Sequence, residues 1–592
     1  MFFIKANVTG ESGGNTSNIR VLGKLQLTVE TGELYSFQYE SDDIYVIGES
    51  IIPIEQGRIG EIVKKLKAGN QNVPDVDNNL LSLVVVDSKA GKAILFRNLT
   101  NSRPVYYYSE VGNLYCSSHL NLLKKYGVLF EPDESVLPEY YTYRILVAPR
   151  TFCKNIYRLA GGELKVIDIV SGSETDNRFI PLGRPAYVGN IDFSEITEQL
   201  GEYLKKSVND TFTHYDTSGV LLSGGADSSL LAAVGVNNGH ALRSVSTSFS
   251  FINQDDGEEE YARTMADFLN LKHEIYKGTA ESYLTGLVES IYHNEEPVDH
   301  LQSVMLYLLF DYCRGDNKTV FLCGESADGL FGNDQHIWYY DHSGKLCLFR
   351  KTGMHGLFRA FMGSKTPDNY RLQMLSKAFD DNMSGRKHYL WMAGQYADID
   401  LVQSHFNCSE EDVVDTRRSL LKNYDCNSLL DLVSAVYFIC QSSSTMSTWG
   451  KLAESRGSAL HFPFGRPELI TYLMSLPWDL KVKEKKYLIR RLLRHNSIPE
   501  EMISRPKRSF GFPPGFWAVK DSLFQPLVDM AGSMYDKKLL ESLQVTRTPT
   551  AMLLWNMLNY YIWKRLFIDD IKPDEISSEL IDRHSAQNKR VL

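Results

Sequence analysis

Apolar residues in the first 180 or so positions come in short runs separated by turns, the pattern of strands rather than long helices. Ile44–Gly48, Leu81–Val86, Ala93–Phe96 and Val105–Tyr108 are predicted strands. Helical spacing falls between them at Ile59–Leu66 and His119–Tyr126. That mixture predicts an α+β domain with antiparallel sheets. The polar stretch Ser171–Gly189, with glycine and proline, reads as a linker and divides the chain into residues 1–185 and 190–592.

Beyond the linker the pattern alternates. Phe193–Ser207 is helical, 218–222 a strand, and a helix follows at once; Ala241–Phe249 is a strand, Glu258–Asn270 a helix and His273–Tyr276 a strand. Helices around Tyr283–His293 and Ser303–Tyr312 lead to the strand Thr319–Cys323. Repeated βαβ units predict a parallel sheet with helices on both faces, where ligands gather at the carboxyl ends of the strands. From about residue 340 onward the pattern is mainly helical. No internal repeat is visible.

One segment constrains the chemistry tightly. Val220-Leu221-Leu222 is an apolar strand end, broken by Ser223-Gly224-Gly225-Ala226-Asp227-Ser228-Ser229 and resumed as a helix through Leu230. Two glycines let the backbone turn and approach an anion closely. The helix start offers unpaired N–H groups and a positive dipole end. The serines add hydroxyl donors, and Asp227 supplies a carboxylate suited to Mg²⁺ held against phosphate oxygens. The loop reads as a pyrophosphate cradle and lacks the Gly-Lys-Ser/Thr ending of a Walker A loop. The bland alternative is a Gly-Ser turn with Asp227 as an N-cap.

A second loop, Gly324-Glu325-Ser326-Ala327-Asp328, follows the strand ending at Cys323. Unpaired carboxylates are costly to bury, so Glu325 and Asp328 are expected at the sheet mouth. There Asp328 can share Mg²⁺ with Asp227, and Glu325 can reach a substrate; a solvated loop with Asp328 as an N-cap is the alternative. Downstream, Arg505-Pro506-Lys507 places Lys507 on a proline-stiffened loop, suited to a developing oxyanion or a departing phosphate. Lys486 is a candidate for the triphosphate, against the alternative of a solvated lysine.

Composition narrows the class. The 592 residues are 43% hydrophobic and 23% charged, enough for two or three well-packed domains. A net charge of −10 disfavours a general nucleic-acid binder, although a local basic patch around Lys481–Lys486 and Arg490–Arg494 stands out. No apolar run is long enough for a bilayer, and Met1-Phe2-Phe3-Ile4-Lys5 lacks the form of a secretory signal. Eight scattered cysteines without zinc spacing point to a reduced, cytoplasmic enzyme without a metal site of its own, apart from Mg²⁺ carried by a nucleotide.

Together these motifs resemble the asparagine-synthetase superfamily, with its Ser-Gly-Gly-x-Asp-Ser loop, its Gly-x-x-x-Asp loop and its late Arg-x-Lys loop. The resemblance covers most of residues 195–570. It implies an ATP-pyrophosphatase-type parallel-sheet domain with a helical C-terminal part. The implied ATP site comprises Leu222, Ser223, Gly224, Gly225, Asp227, Ser228, Ser229, Ser246, Gly324 and Lys486. Asp227 and Asp328 are the implied Mg²⁺ ligands, and Lys507 and Glu325 the implied catalytic residues. Val86-Asp87, Phe96-Arg97-Asn98 and Pro104–Tyr108 likewise resemble the family's glutaminase domain, implying an αββα fold of the N-terminal-nucleophile type.

Departures from the family pattern are informative. Its glutaminases use an N-terminal cysteine, whereas Met1 is followed here by Phe2, no cysteine precedes Cys116, and the Asn-Gly-Glu signature is absent. Without a thiolate there is no thioester route to ammonia. Gly329 follows Asp328 where asparagine synthetases carry Glu, and Pro463-Phe464-Gly465-Arg466 replaces Pro-Phe-Leu-Asp. That loss of acid and gain of a cation is expected to suit a substrate other than free aspartate. Members lacking the cysteine include β-lactam synthetases and lasso-peptide cyclases, and the 322–332 and 507–509 segments look most like the cyclases.

The expectation is therefore ATP-dependent adenylation of a carboxylate followed by attack of an amine. The substrate is a peptide or small molecule bearing both groups, and the lasso reading adds a leader-peptidase-type partner protein. Four readings compete: an ammonia-dependent asparagine synthetase, a β-lactam synthetase-like cyclase, a tRNA-modifying enzyme of the same fold, and a non-catalytic ATP-binding partner.

Overall fold

A computed structural model describes residues 1–8, 19–32, 35–68, 81–100, 103–180, 182, 192–215, 217–249, 258–315, 319–352, 396–397, 399–424, 426, 428–505, 519, 522–544 and 548–591. The first part contains two six-stranded antiparallel sheets. Alternation explains their stacking: Phe2, Ile4 and Leu27 of one sheet meet Tyr45, Ile47, Val84, Val86 and Leu95 of the other in a shared buried layer. The opposite residues of the second sheet, Val46, Leu83, Val85 and Phe96, bury the apolar stripe Ile59, Ile62, Val63 and Leu66 of the helix Gln56–Lys67. On the outer face of the first sheet, Phe3, Tyr106 and Tyr115 pack with helices Leu120–Lys125, Leu137–Tyr143, Ala280–Asn294 and Thr548–Phe567. The αββα sandwich thus takes part of one helical layer from the far end of the chain.

The second part is built on a five-stranded sheet ordered Lys272–Lys277, Leu242–Ser248, Thr217–Leu221, Thr319–Leu322, Ser458–His461. Every pairing is parallel. Parallel strands need crossovers, and the helices supplying them pack on both faces around Val220, Val245, Val320 and Phe321. Helices make up most of the described chain beyond this sheet. Among the described residues no helix is long and apolar enough to cross a membrane.

Two sequence expectations need correction. Glu174–Phe179, placed in the linker, is a strand pairing with Glu163–Asp168. Its polarity reflects an edge position with most side chains in water, not a break in structure. The fifth parallel strand, Ser458–His461, lies in the region expected to be mainly helical. Four residues, all buried, are too short to display a period.

Candidate active site

The carboxyl ends of Thr217–Leu221, Leu242–Ser248 and Thr319–Leu322 open into a cavity of about 480 Å³. Leu222, Ser223, Gly224, Gly225, Asp227, Ser228, Ser246, Gly324, Glu325, Asp328 and Lys486 all line it. The sheet has gathered positions that are spread over more than 260 residues of chain.

The first loop is pre-shaped by its own hydrogen bonds. Gly224 has φ +70°, and a side chain there would collide with Tyr261 and Ala262. The Gly225 N–H donates to Ser223 Oγ (3.2 Å), the Ser228 hydroxyl donates to the Gly225 carbonyl (3.2 Å), and the two serine hydroxyls lie 3.1 Å apart. The helix Ala226–Asn237 starts here, its first N–H groups facing the same space. Gly324 packs against this turn: a Cβ on it would sit 3.0 Å from Asp227 Cβ. Ser229 is the exception among the expected contacts, because it falls behind the loop, buried and off the cavity wall.

Lys486 joins the two carboxylates. Its ammonium pairs with Asp227 and lies 3.0 Å from Asp328 Oδ1. Burial works against the charge, but the two acids hold the Lys486 pKa above the ordinary lysine range. The backbone at Lys486 is left-handed (φ 57°), and this aims the side chain back from the start of helix Tyr487–His495. Contact of one cation with both Asp227 and Asp328 is the observation that fits them to Mg²⁺, since an all-oxygen carboxylate pair suits a hard divalent ion.

Glu325 sits on the far wall, half-buried, accepting a hydrogen bond from the Ser442 hydroxyl at 2.6 Å. Burial pushes its carboxyl above the usual range despite that bond. Ser442 ends a π-helical segment, Val436–Ser442, and Ser326 adopts φ +80°. Wide turns and strained residues of this kind cluster at functional sites.

Several wall residues were not foreseen: Val245, Thr247, Tyr261, Trp449, Lys485, Arg490 and Arg505. The Arg505 guanidinium lies over the Tyr261 ring at 4.5 Å. Cationic or aromatic residues scattered on separate elements carry no local signal, although Lys485, Arg490 and Arg505 stand in runs whose charge was visible. Lys507 lies outside the described residues. Lys481 does not belong to the basic patch: it is buried, donates to the Leu473 carbonyl (2.9 Å), and burial pulls its pKa down to about 7. Arg466 also departs from expectation, because it is buried against Asp210 (2.9 Å) and is absent from the cavity wall. Its cation therefore gives no reason to expect a substrate other than free aspartate.

A phosphate-cradling loop at the mouth of a parallel sheet, with two acids and a lysine meeting beside it, defines an ATP-using synthetase of the pyrophosphatase type. The asparagine synthase family model matches residues 199–563, and a glutamine amidotransferase domain model matches residues 62–179. The chain belongs to the asparagine synthase family, and so to the ATP-dependent carbon–nitrogen ligases that form AMP. It is 22% identical over 512 residues to asparagine synthetase [glutamine-hydrolyzing] 1 of Bacillus subtilis, covering 81% of this chain and 76% of that one. A putative asparagine synthetase [glutamine-hydrolyzing] of Mycobacterium bovis is 22% identical over 80% of this chain and 74% of its own length. A solved NH3-dependent NAD synthetase from Campylobacter jejuni overlaps 24% of this chain and 61% of its own, at 20% identity and a TM-score of 0.18.

Proposed function

We propose that the enzyme adenylates a carboxylate of a peptide and closes an amide with an amine of the same molecule, a macrolactam closure of the lasso type. The synthetase domain, residues 190–592, carries the chemistry, and residues 1–185 support it. In the first step a substrate carboxylate oxygen bonds to the α-phosphorus of ATP, and the bond from that phosphorus to the bridging oxygen breaks, releasing pyrophosphate. In the second, the amine nitrogen bonds to the acyl carbon, the bond to AMP breaks, and Glu325 takes the amine proton. Lys507 stabilises the oxyanion of the tetrahedral state. Asp227 and Asp328 would hold Mg²⁺, which when bound neutralises charge on the phosphates. Both ends of one flexible molecule held in one cavity supply the effective molarity that an internal closure needs.

One observation supports an internal amine over ammonia drawn from glutamine. Among the described residues the first domain offers no reactive thiol for glutamine hydrolysis: Phe2 is wholly buried, and the Cys116 and Cys153 thiols are buried, with burial pushing both pKa values up. The test is incubation with ATP, Mg²⁺, a leader-peptidase-type partner and a precursor peptide bearing an N-terminal amine and an internal acidic side chain. Loss of one water from the peptide, with one AMP and one pyrophosphate per turnover, is the expected result. ADP in their place, or rapid synthesis of asparagine from aspartate and ammonia, overturns the reading.

A further inference from the structure

Arg144, at the end of helix Leu137–Tyr143 in the first domain, is in an unusual position. Its backbone is left-handed (φ 57°), a conformation at a helix end that favours glycine. Its side chain is almost wholly buried, and burial depresses the guanidinium pKa. Strain and desolvation at one residue both work against an arginine there.

Its surroundings satisfy it only in part, although Tyr396 engages it through a side-chain hydrogen bond. The Nη2 group donates to His300 Nε2 at 2.7 Å, and the guanidinium stacks on the Tyr396 ring at 3.3 Å. Burial drops the His300 pKa to about 4, so near neutral pH its ring is uncharged and can accept that bond. Nε is buried without a hydrogen-bond partner. Among the described residues no carboxylate comes within ion-pairing distance of Arg144. Asp299 and Glu325 act on it only through their fields, and Asp299 is already engaged by the Ser303 and Thr445 hydroxyls.

The location points to the substrate. Arg144 lies behind the cavity wall, which Glu325 and Trp449 form on this side, and Trp449 is tied to the same cluster through Ser303 (2.9 Å) and the His300 ring (6.2 Å). The Gln441 side-chain nitrogen, in the π-helical segment that ends at the Glu325 partner Ser442, is also buried without a partner. Arg144 thus lies within the field of the acid assigned to the amine, and Gln441 is the chain neighbour of that acid's partner.

We infer that Arg144 anchors a carboxylate of the acceptor substrate, so that the first domain contributes a substrate-binding residue at the domain junction. This rests on the acyl-transfer reading of the same cavity. The carboxylate is either the one that reacts or a second one, and both present the same paired oxygens to a guanidinium.

Arg144→Gly makes a clean test, because glycine suits the left-handed backbone. Thermal unfolding is followed for wild type and R144G, with a non-hydrolysable ATP analogue, against propionate and succinate. The expected result is that R144G is at least as stable as wild type and keeps its shift with the ATP analogue. A carboxylate-induced rise in Tm is expected in wild type and not in R144G. A response to both acids assigns the anchor to the reacting carboxylate, and a response to succinate alone assigns it to a second one. The inference is overturned if neither acid moves wild type, if R144G responds like wild type, or if R144G and Arg144→Asn both lose several degrees of Tm, which would make Arg144 a structural prop. Failure of the acyl-transfer reading shows separately, as ADP in place of AMP from wild type.

Discussion

The Ser442 hydroxyl donates to Glu325 at 2.6 Å across the cavity wall, holding a carboxylate whose pKa burial has raised. A carboxyl with a raised pKa is a better proton acceptor at the end of the amine attack than an ordinary glutamate, because its proton affinity is closer to working pH. Glu325→Gln is expected to slow amide formation by roughly 10²–10⁴-fold, the usual contribution of a positioned acid or base.

The same substitution has a consequence for stability. A carboxyl with a raised folded-state pKa keeps more protons folded than unfolded, so stability falls as pH rises from the ordinary glutamate range through the folded value. Glu325→Gln should therefore be more thermostable than wild type at pH 8, with the gain vanishing below the ordinary glutamate range. Calorimetry across pH checks it; an equal or lower Tm at pH 8 contradicts it.

Lys486 and the two acids should show linked behaviour. Lys486→Met leaves Asp227 and Asp328 facing each other without the ammonium that pairs with both. Mg²⁺ alone is expected to raise the Tm of this variant more than that of wild type, because binding to the folded state stabilises it by mass action. Asp227→Asn should abolish turnover and reduce the Mg²⁺ response. A fully active Asp227→Asn enzyme would remove the metal assignment.

Glutamine should not be hydrolysed. Release of glutamate measured with an enzyme-coupled assay is expected at background, and Cys116→Ala is expected to leave amide formation unchanged. Cys116 lies within a strand whose partner positions are Ile4 and Tyr107, far from the solvated, low-pKa setting a reactive thiol needs.

Lys507→Ala is expected to cut amide formation by roughly 10²–10³-fold with little change in substrate affinity, as for loss of an oxyanion donor. Trapping with hydroxylamine separates the steps: hydroxamate should still form while amide does not. Unchanged rates of both would take Lys507 out of the site.

Much of this protein was determined by local sequence. The strand, turn and helix around Ser223–Ser229 are contiguous, so their glycines and hydroxyls mark a loop at a strand end without help from elsewhere, and the structure lines the cavity with Ser223, Gly224, Gly225, Asp227 and Ser228. The βαβ alternation is legible for the same reason, because helix and strand periods are properties of short windows. Tertiary structure decided what crosses the chain. The Lys486–Asp227 pair spans 259 positions and that of Arg466 with Asp210 spans 256, so the first joined the site and the second left it for reasons no window could contain. Arg144 belongs to the same class: a left-handed helix end and a buried guanidinium acquire meaning only when the first domain packs against His300 and Tyr396. Polar residues give a weak signal of burial, since their environment is set by distant partners and not by the neighbours that set a period.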